Sequence, residues 1–250
     1  MSDHKRSGAT LASARADPAV GGFDVLVRHY EACLDLHGAT PAGVDWPTSQ
    51  DLEARFSVML EILDPVRIPP QVRPMEPLML LDLGCGPGFL VDYLAAQGRL
   101  DGVSYRGIDL SPRMIEAAKT RWPDQHFACR DILADPLPDG EFDVILMNGV
   151  LTERRSLSQA RMIEMAETLV TAAFKASRRG IVFNIMNSHV DWERDDLFYW
   201  PFDQLAAFLT RSIGRHYQFR ADYGLYEYAA FVYHEAQRPQ PMENPTWWTK

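Results

Sequence analysis

Apolar positions along this chain follow two rhythms, and the places where one gives way to the other mark its elements. Leu78 to Leu83 is an apolar run interrupted only by Asp82, which predicts a strand buried in a parallel sheet. It breaks into Gly84-Cys85-Gly86-Pro87-Gly88, and a helical pattern resumes at Phe89. Val103 to Ile108 predicts a second strand, ending at Asp109. Ser111-Pro112 then opens a helix, with Ser as N-cap, Pro in the first turn, and Met114, Ile115 and Ala118 on the apolar face. His126 to Arg130 is a third strand, ending at Asp131-Ile132, and Phe142 to Met147 a fourth, ending at Asn148-Gly149-Val150. Ser156 to Ser177 reads as a helix and Gly180 to Ile185 as a fifth strand. Pro201 starts a further helix with Leu205, Phe208, Leu209 and Ile213 on its inner side. Strands separated by helical segments, with polar or glycine residues at their carboxyl ends, predict an open α/β sheet with its ligand across that edge.

The N-terminal third is less regular. Residues 1–21, rich in Ala, Ser, Asp and Gly, are expected to form a disordered tail. Phe23, Leu26, Val27, Tyr30, Cys33 and Leu34 share one face of a helix over Phe23–Leu36, and Gly38 to Pro47 is a loop. Leu52, Phe56, Met59, Leu60 and Leu63 predict a stronger helix over Asp51–Leu63, ended by Asp64-Pro65 and the Pro-rich stretch to Pro77. The expected organisation is a tail at 1–21, a helical cap at 22–74, the α/β domain at 75–235 and a C-terminal tail at 236–250. Trp247-Trp248 in that last tail is suited to docking on the body or on a partner.

Chemistry enters at the strand ends. A strand, a Gly-rich turn and a helix start make a cradle for a nucleotide-type cofactor: glycines let a ligand approach the backbone, and the helix start offers free N–H donors. The spacing is G-x-G-x-G rather than the G-x-G-x-x-G of dinucleotide enzymes, because position 89 is Phe. Asp82 precedes the turn, and Asp109 stands where a carboxylate can accept both hydroxyls of a ribose. An NAD-dependent oxidoreductase would also use such an acid, but the loop spacing and Asp131 speak against it; a non-catalytic binding protein is a further alternative.

Composition narrows the partners. A chain of 250 residues with 46% hydrophobic residues can bury one full core. A net charge of −9, with adjacent arginines only at 154–155 and 178–179, argues against a general grip on nucleic acid. Cys33, Cys85 and Cys129 show neither metal nor disulfide spacing, so no metal is expected, and Cys85 and Cys129 are placed in the loop and in a core strand. A reducing cytoplasm fits this usage, no apolar run reaches membrane-spanning length, and residues 1–22 lack the apolar segment of a secretory signal.

LDLGCGPG at 81–88, YRGIDLSPRMIEAAK at 105–119, ACRDIL at 128–133 and FDVILMNGVL at 142–151 resemble, in order, the motifs of the class I S-adenosylmethionine (SAM) dependent methyltransferases. The resemblance spans residues 75–235. It implies an open, mostly parallel, seven-stranded Rossmann-like sheet with helices on both faces and an antiparallel C-terminal hairpin, here Arg215–Ala221 and Tyr226–His234. It implies SAM as cofactor, with Asp82, Gly84 and Gly86 around its methionine part, Asp109 on the ribose, Leu110 and Met114 flanking the adenine, and Asp131 accepting from the adenine amino group. Ile132 and Asn148, at the neighbouring strand ends, join this set. The cap segment commonly covers the SAM site, and Arg55 within it is a candidate for gripping the methionine carboxylate. The implied reaction is methyl transfer to an oxygen or nitrogen of a small molecule, of saccharide or secondary-metabolite type, without nucleic acid or membrane partners. For a hydroxyl acceptor, His189 just beyond strand five is the first candidate for general base, with His29, His37 and Glu153 as rivals. The aromatic-rich segment 187–205 offers pocket walls, although Phe198, Tyr199 and Trp200 are assigned to packing and Tyr223, Tyr226 and Tyr228 to the hairpin.

Overall fold

In the computed structural model, residues 23–63 and 77–237 are described; the tail expected at 1–21, the Pro-rich stretch 64–76 and Trp247-Trp248 lie outside them. The strands are β1 (Leu78–Leu83), β2 (Val103–Asp109), β3 (His126–Cys129), β4 (Phe142–Leu151), β5 (Ser177–Met186), β6 (Tyr217–Arg220) and β7 (Glu227–Tyr233). The helices are α1 (Asp24–His37), α2 (Ser49–Met59), α3 (Phe89–Ala96), α4 (Pro112–Arg121), α5 (Gln159–Ala176) and α6 (Phe202–Ser212). One sheet runs in the order β3-β2-β1-β4-β5-β7-β6. β1 to β5 pair in parallel, while β7 lies antiparallel between β5 and β6. The order reverses at β1 and β4, and a cleft opens there at the carboxyl edge.

Side chains that alternate along the strands feed two apolar layers, one on each face. Leu81, Ile145, Ile181 and Phe183 pack with Met162, Ala166 and Val170 of α5 and Leu205 and Leu209 of α6. Leu80, Val144, Leu146 and Val182 face Leu90 and Leu94 of α3, Ile115 and Ala118 of α4, and Phe56 and Met59 of α2. Burial on both faces is why these strands read as near-continuous apolar runs. Helix starts follow their sequence signals. Ser111 accepts from Met114 N–H at 3.2 Å, and Ser158 from Arg161 N–H at 3.2 Å.

Several boundaries differ from the pattern-based ones for identifiable reasons. β4 runs on to Leu151 with a register shift against β5 between Met147 and Leu151, and Gly149 at φ 80° sits inside that irregularity. The helix over Asp51–Leu63 divides into α2 and a 3₁₀ turn at Leu60–Leu63, and the loop before it holds a second such turn, Pro41–Val44. β3 is an edge strand, so Cys129 is exposed rather than in the core. The packing role of Phe198, Tyr199 and Trp200 is met, all three being buried. Tyr228 is buried in the hairpin and donates to Trp200 O at 2.6 Å, whereas Tyr226 is exposed.

The antiparallel pairing of β7 with β5 requires glycine at 180. A Cβ there would lie 2.3 Å from Val232 O, a backbone atom that cannot turn aside. Gly180→Ala is expected to destabilise the fold by about 3 kcal/mol. Urea unfolding checks this, and an unchanged midpoint would show that the two strands can part without cost.

Candidate active site

Two backbone turns meet at the carboxyl edge, and Asp109 holds them together. Its Oδ2 accepts from Gly86 N–H and its Oδ1 from Ser111 N–H, each at 2.9 Å. Gly84 and Cys85 N–H groups donate to Ile108 O at 2.7 and 3.1 Å, so the Gly-rich loop is pinned along the end of β2. Gly84 adopts φ 79°, and a Cβ there would stand 2.3 Å from Val150 Cγ2. Glycine is required on both counts. Burial raises the Asp109 carboxyl above its ordinary value, and the amide donors draw it back. Each carboxylate oxygen keeps a second lone-pair direction for a ligand hydroxyl.

Asp82, at the end of β1, is buried and accepts from the Tyr105 hydroxyl at 2.9 Å. Burial pushes its carboxyl up to about 7, against that hydrogen bond and with help from the nearby Asp109 charge.

These residues wall a cavity between the sheet edge and the N-terminal helices. Asp82, Gly84, Gly86, Asp109, Leu110, Met114, Asp131, Ile132 and Asn148 all line it. Asp131 turns its Oδ1 to Leu133 N–H at 2.8 Å. Asn148 Oδ1 is buried and has no hydrogen-bond partner among the described residues. The outer wall comes from the N-terminal segment: Phe23, Leu26, Val27 and Tyr30 of α1 and its start, then Val44, Trp46, Leu52 and Phe56. The segment is tied down by Ser111 Oγ donating to Glu31 at 2.7 Å and by Arg113 on Asp35. Sequence alone places Tyr30 on an apolar helix face and Trp46 in a loop, and neither in a cavity wall. The apolar face of α1 was visible, but the periodicity gives no reason to separate a cavity-facing aromatic from a packed one.

Two expected site residues are placed elsewhere. Arg55 does not line the cavity: its Nε and Nη2 hold the Glu227 carboxylate at 2.9 to 3.0 Å, and its guanidinium lies 3.8 Å from the centre of the Trp46 ring. Its charge is therefore already neutralised inside the protein. His189 is exposed on the β5–α6 connection, beside Phe202, and is not part of the cavity wall.

The rival bases His29 and Glu153 fall in one cluster next to Tyr30. Arg155 joins Asp45 at 2.5 Å, Glu153 at 2.8 Å and Asp196 at 2.9 Å, and also contacts His29. Glu153 is buried, which pushes its carboxyl up to about 7 against the opposing pull of Arg155. His29, Cys33 and Asp45 offer ligand atoms within 4.8 Å of one another, a grouping that cysteine spacing alone did not reveal. The Arg155 guanidinium already supplies positive charge at that point.

The raised values of Asp82 and Glu153 fix a sign for pH dependence. Unfolded, both release their protons near pH 4; folded, they retain them up to about pH 7. The folded state therefore binds more protons across that window, so stability of the ligand-free protein falls as pH rises from about 4 to 7 and then levels off. Asp82→Asn, which is neutral and still accepts from Tyr105, is expected to flatten part of this slope in urea unfolding between pH 5 and 8. A slope identical to wild type would show that Asp82 is ionised throughout.

A profile of the family described as "Methyltransferase domain" matches residues 80–172. The Mycobacterium tuberculosis (strain H37Rv) protein Rv1506c, whose name places it among methyltransferases, is 34% identical over 163 residues, covering 64% of this chain and 96% of that protein. Trans-aconitate 2-methyltransferase of Methylobacterium radiotolerans is 40% identical over 79 residues, but this match spans only 31% of this chain and 29% of that enzyme. Among solved structures, human N-acetylserotonin methyltransferase in complex with SAM superposes with a TM-score of 0.56 at 17% identity, covering 86% of this chain and 59% of that one. Magnesium protoporphyrin IX methyltransferase from Synechocystis PCC 6803 with bound S-adenosylhomocysteine gives 0.53 at 14% identity, covering 84% and 99%. At such identities the structural likeness speaks for the fold. Together with a relative matched over nearly its whole length, it leads to one conclusion: the chain belongs to the class I S-adenosylmethionine-dependent methyltransferases.

Proposed function

We propose that the protein methylates an oxygen or nitrogen of a small molecule of saccharide or secondary-metabolite type, with SAM held in the cavity under the N-terminal helices. The observation that carries this reading is the cavity itself: acids and glycines of the sheet edge form its floor, and the aromatic face of the N-terminal segment its roof. Such a covered site suits a small acceptor better than a polymer, and a net charge of −9 gives a polyanion no general attraction. A relative named for a small acceptor, trans-aconitate, points the same way.

The residues present fit SAM. Asp82, beside which no cation stands among the described residues, suits a ligand carrying positive charge. The orphaned Asn148 Oδ1 offers an acceptor to an ammonium group. Asp109 retains acceptor capacity for ribose hydroxyls, and Leu110, Met114 and Ile132 provide apolar flanks for a flat base next to Asp131. When bound, SAM supplies a methyl group on a sulfonium. The protein's part is to align acceptor, methyl and sulfur and to exclude water, which is worth up to ~7–11 kcal/mol in well-oriented systems. Glu153, raised toward neutrality by burial, is held by Arg155 outside the residues that line the cavity, so its value alone does not make it the base for a hydroxyl acceptor.

Calorimetry with SAM and S-adenosylhomocysteine tests the cofactor assignment. Wild-type protein is expected to bind both, and Asp109→Ala to bind them ~1–3 kcal/mol more weakly through loss of charge-assisted hydrogen bonds. Unchanged affinity would reduce Asp109 to a turn-forming carboxylate. For the acceptor class, methyl-labelled SAM and a cell extract should give label in the low-mass fraction; label confined to protein or nucleic acid would overturn the small-molecule reading. His189→Ala is expected to keep single-turnover transfer within a few-fold of wild type, because the side chain is exposed and is not among the residues that line the cavity; a loss of a hundredfold or more would restore it as a base.

A further inference from the structure

A chain of buried polar groups runs from the N-terminal helices, through two strands, to the cavity wall. Arg55 of α2 holds Glu227 of β7 with three hydrogen bonds at 2.9 to 3.0 Å. Glu227 Oε1 also accepts from Asn184 Nδ2 at 3.0 Å and from the Tyr223 hydroxyl at 3.1 Å. Asn184 Oδ1 accepts from Gly149 N–H at 2.7 Å. Arg55 is 7% exposed, Glu227 1% and Asn184 0%. Three links therefore connect a helix of the roof to the peptide that carries Asn148 and Gly149.

The peptide that follows, Gly149–Val150, meets the roof as well. Gly149 O accepts from Tyr30 at 3.4 Å and from Thr152 at 3.0 Å. Trp46, stacked on the Arg55 guanidinium, packs so closely on Gly149 that a Cβ there would stand 2.6 Å from its ring. Arg55 thus stacks on Trp46, which packs on Gly149, and is linked through Glu227 and Asn184 to the Gly149 amide. A buried ion pair is weak evidence for stability, since apolar residues of similar size often do as well. Its placement here has a different use.

We propose that Arg55, Glu227 and Asn184 are positioning residues that couple seating of the N-terminal helices to the shape of the cavity wall at Asn148-Gly149, so that the cofactor site is complete only when the roof is docked. The proposal rests on the assignment of SAM to this cavity. No member of the relay touches the ligand in this scheme, and each acts through Gly149 or Trp46.

The double variant R55M/E227Q separates positioning from mere support. It removes both charges together, so none is left buried alone, and Gln still accepts from Asn184 and Tyr223. Expected are a melting temperature close to wild type, S-adenosylhomocysteine affinity at least tenfold lower, and faster amide exchange over residues 148–150 in the ligand-free protein. Wild-type affinity and exchange in this folded variant would overturn the proposal. Should the variant not fold, Glu227→Asp, which keeps the charge and shortens the arm, is read in the same way: weaker ligand binding with faster exchange at 148–150 supports coupling, and neither change refutes it. If wild-type protein binds neither SAM nor S-adenosylhomocysteine, the cofactor assignment fails, and the relay is judged on exchange at 148–150 alone.

Discussion

The two amide protons that Asp109 accepts, from Gly86 and Ser111, bind the ends of β1 and β2 into one surface, and much else hangs on that junction. Through Gly86 it shapes the Gly-rich loop from which α3 departs. Through Ser111, buried beside it, the junction reaches further: the Ser111 hydroxyl caps α4 by accepting from Met114 N–H and donates to Glu31 of α1. A single carboxylate thus aligns a loop, a helix start and part of the roof. It can do so because parallel strands covered on both faces leave the carboxyl edge as the place where polar groups gather.

Seating of the roof shows which interactions weigh most. Arg113 with Asp35 and Arg121 with Asp92 lie at the surface, where such pairs contribute about 0–1 kcal/mol. By contrast, Leu52, Phe56 and Met59 of α2 are buried against the sheet, and fully burying one such side chain is worth about 1.5–3 kcal/mol. Apolar contact therefore holds the N-terminal helices down. The polar groups beneath them, Arg55 and Glu227 above all, dictate where they come to rest.

How much of this was legible in the sequence depended on how local each cause is. β1 was read to the residue because an apolar run that stops at a Gly-rich turn carries its own boundaries. Asp109 was legible as a carboxylate at the carboxyl edge because it ends a strand after such a turn, whereas its bonds to the Gly86 and Ser111 amides were not. Arg55 was assigned to a ligand because a guanidinium on a capping helix shows nothing of a glutamate 172 residues away. His189 was chosen for standing after β5, but position on a connection does not fix the direction of a side chain. Asn148-Gly149 looked like the end of β4, whereas the glycine permits a bulge and lets the strand continue to Leu151. Asn184 lies within the predicted fifth strand with nothing to single it out, since a buried amide becomes meaningful once its neighbours on β4 and β7 are known.

The place of β7 has a consequence for synthesis on the ribosome. It is the last strand of the described chain to be made, yet it is an interior strand, with every residue from Glu227 to Tyr233 buried. Until it arrives, β5 presents an unpaired edge that carries Ile181, Val182 and Phe183, and Arg55 waits without its counter-ion. Glu227 follows the end of β5 at Met186 by 41 residues, which at about 5–20 residues per second take roughly 2–8 s to translate. For that interval the nascent domain holds an open apolar strand edge, the kind of surface that pairs with other chains. The architecture thus leaves that edge uncovered until the C-terminal hairpin of the described chain closes the sheet.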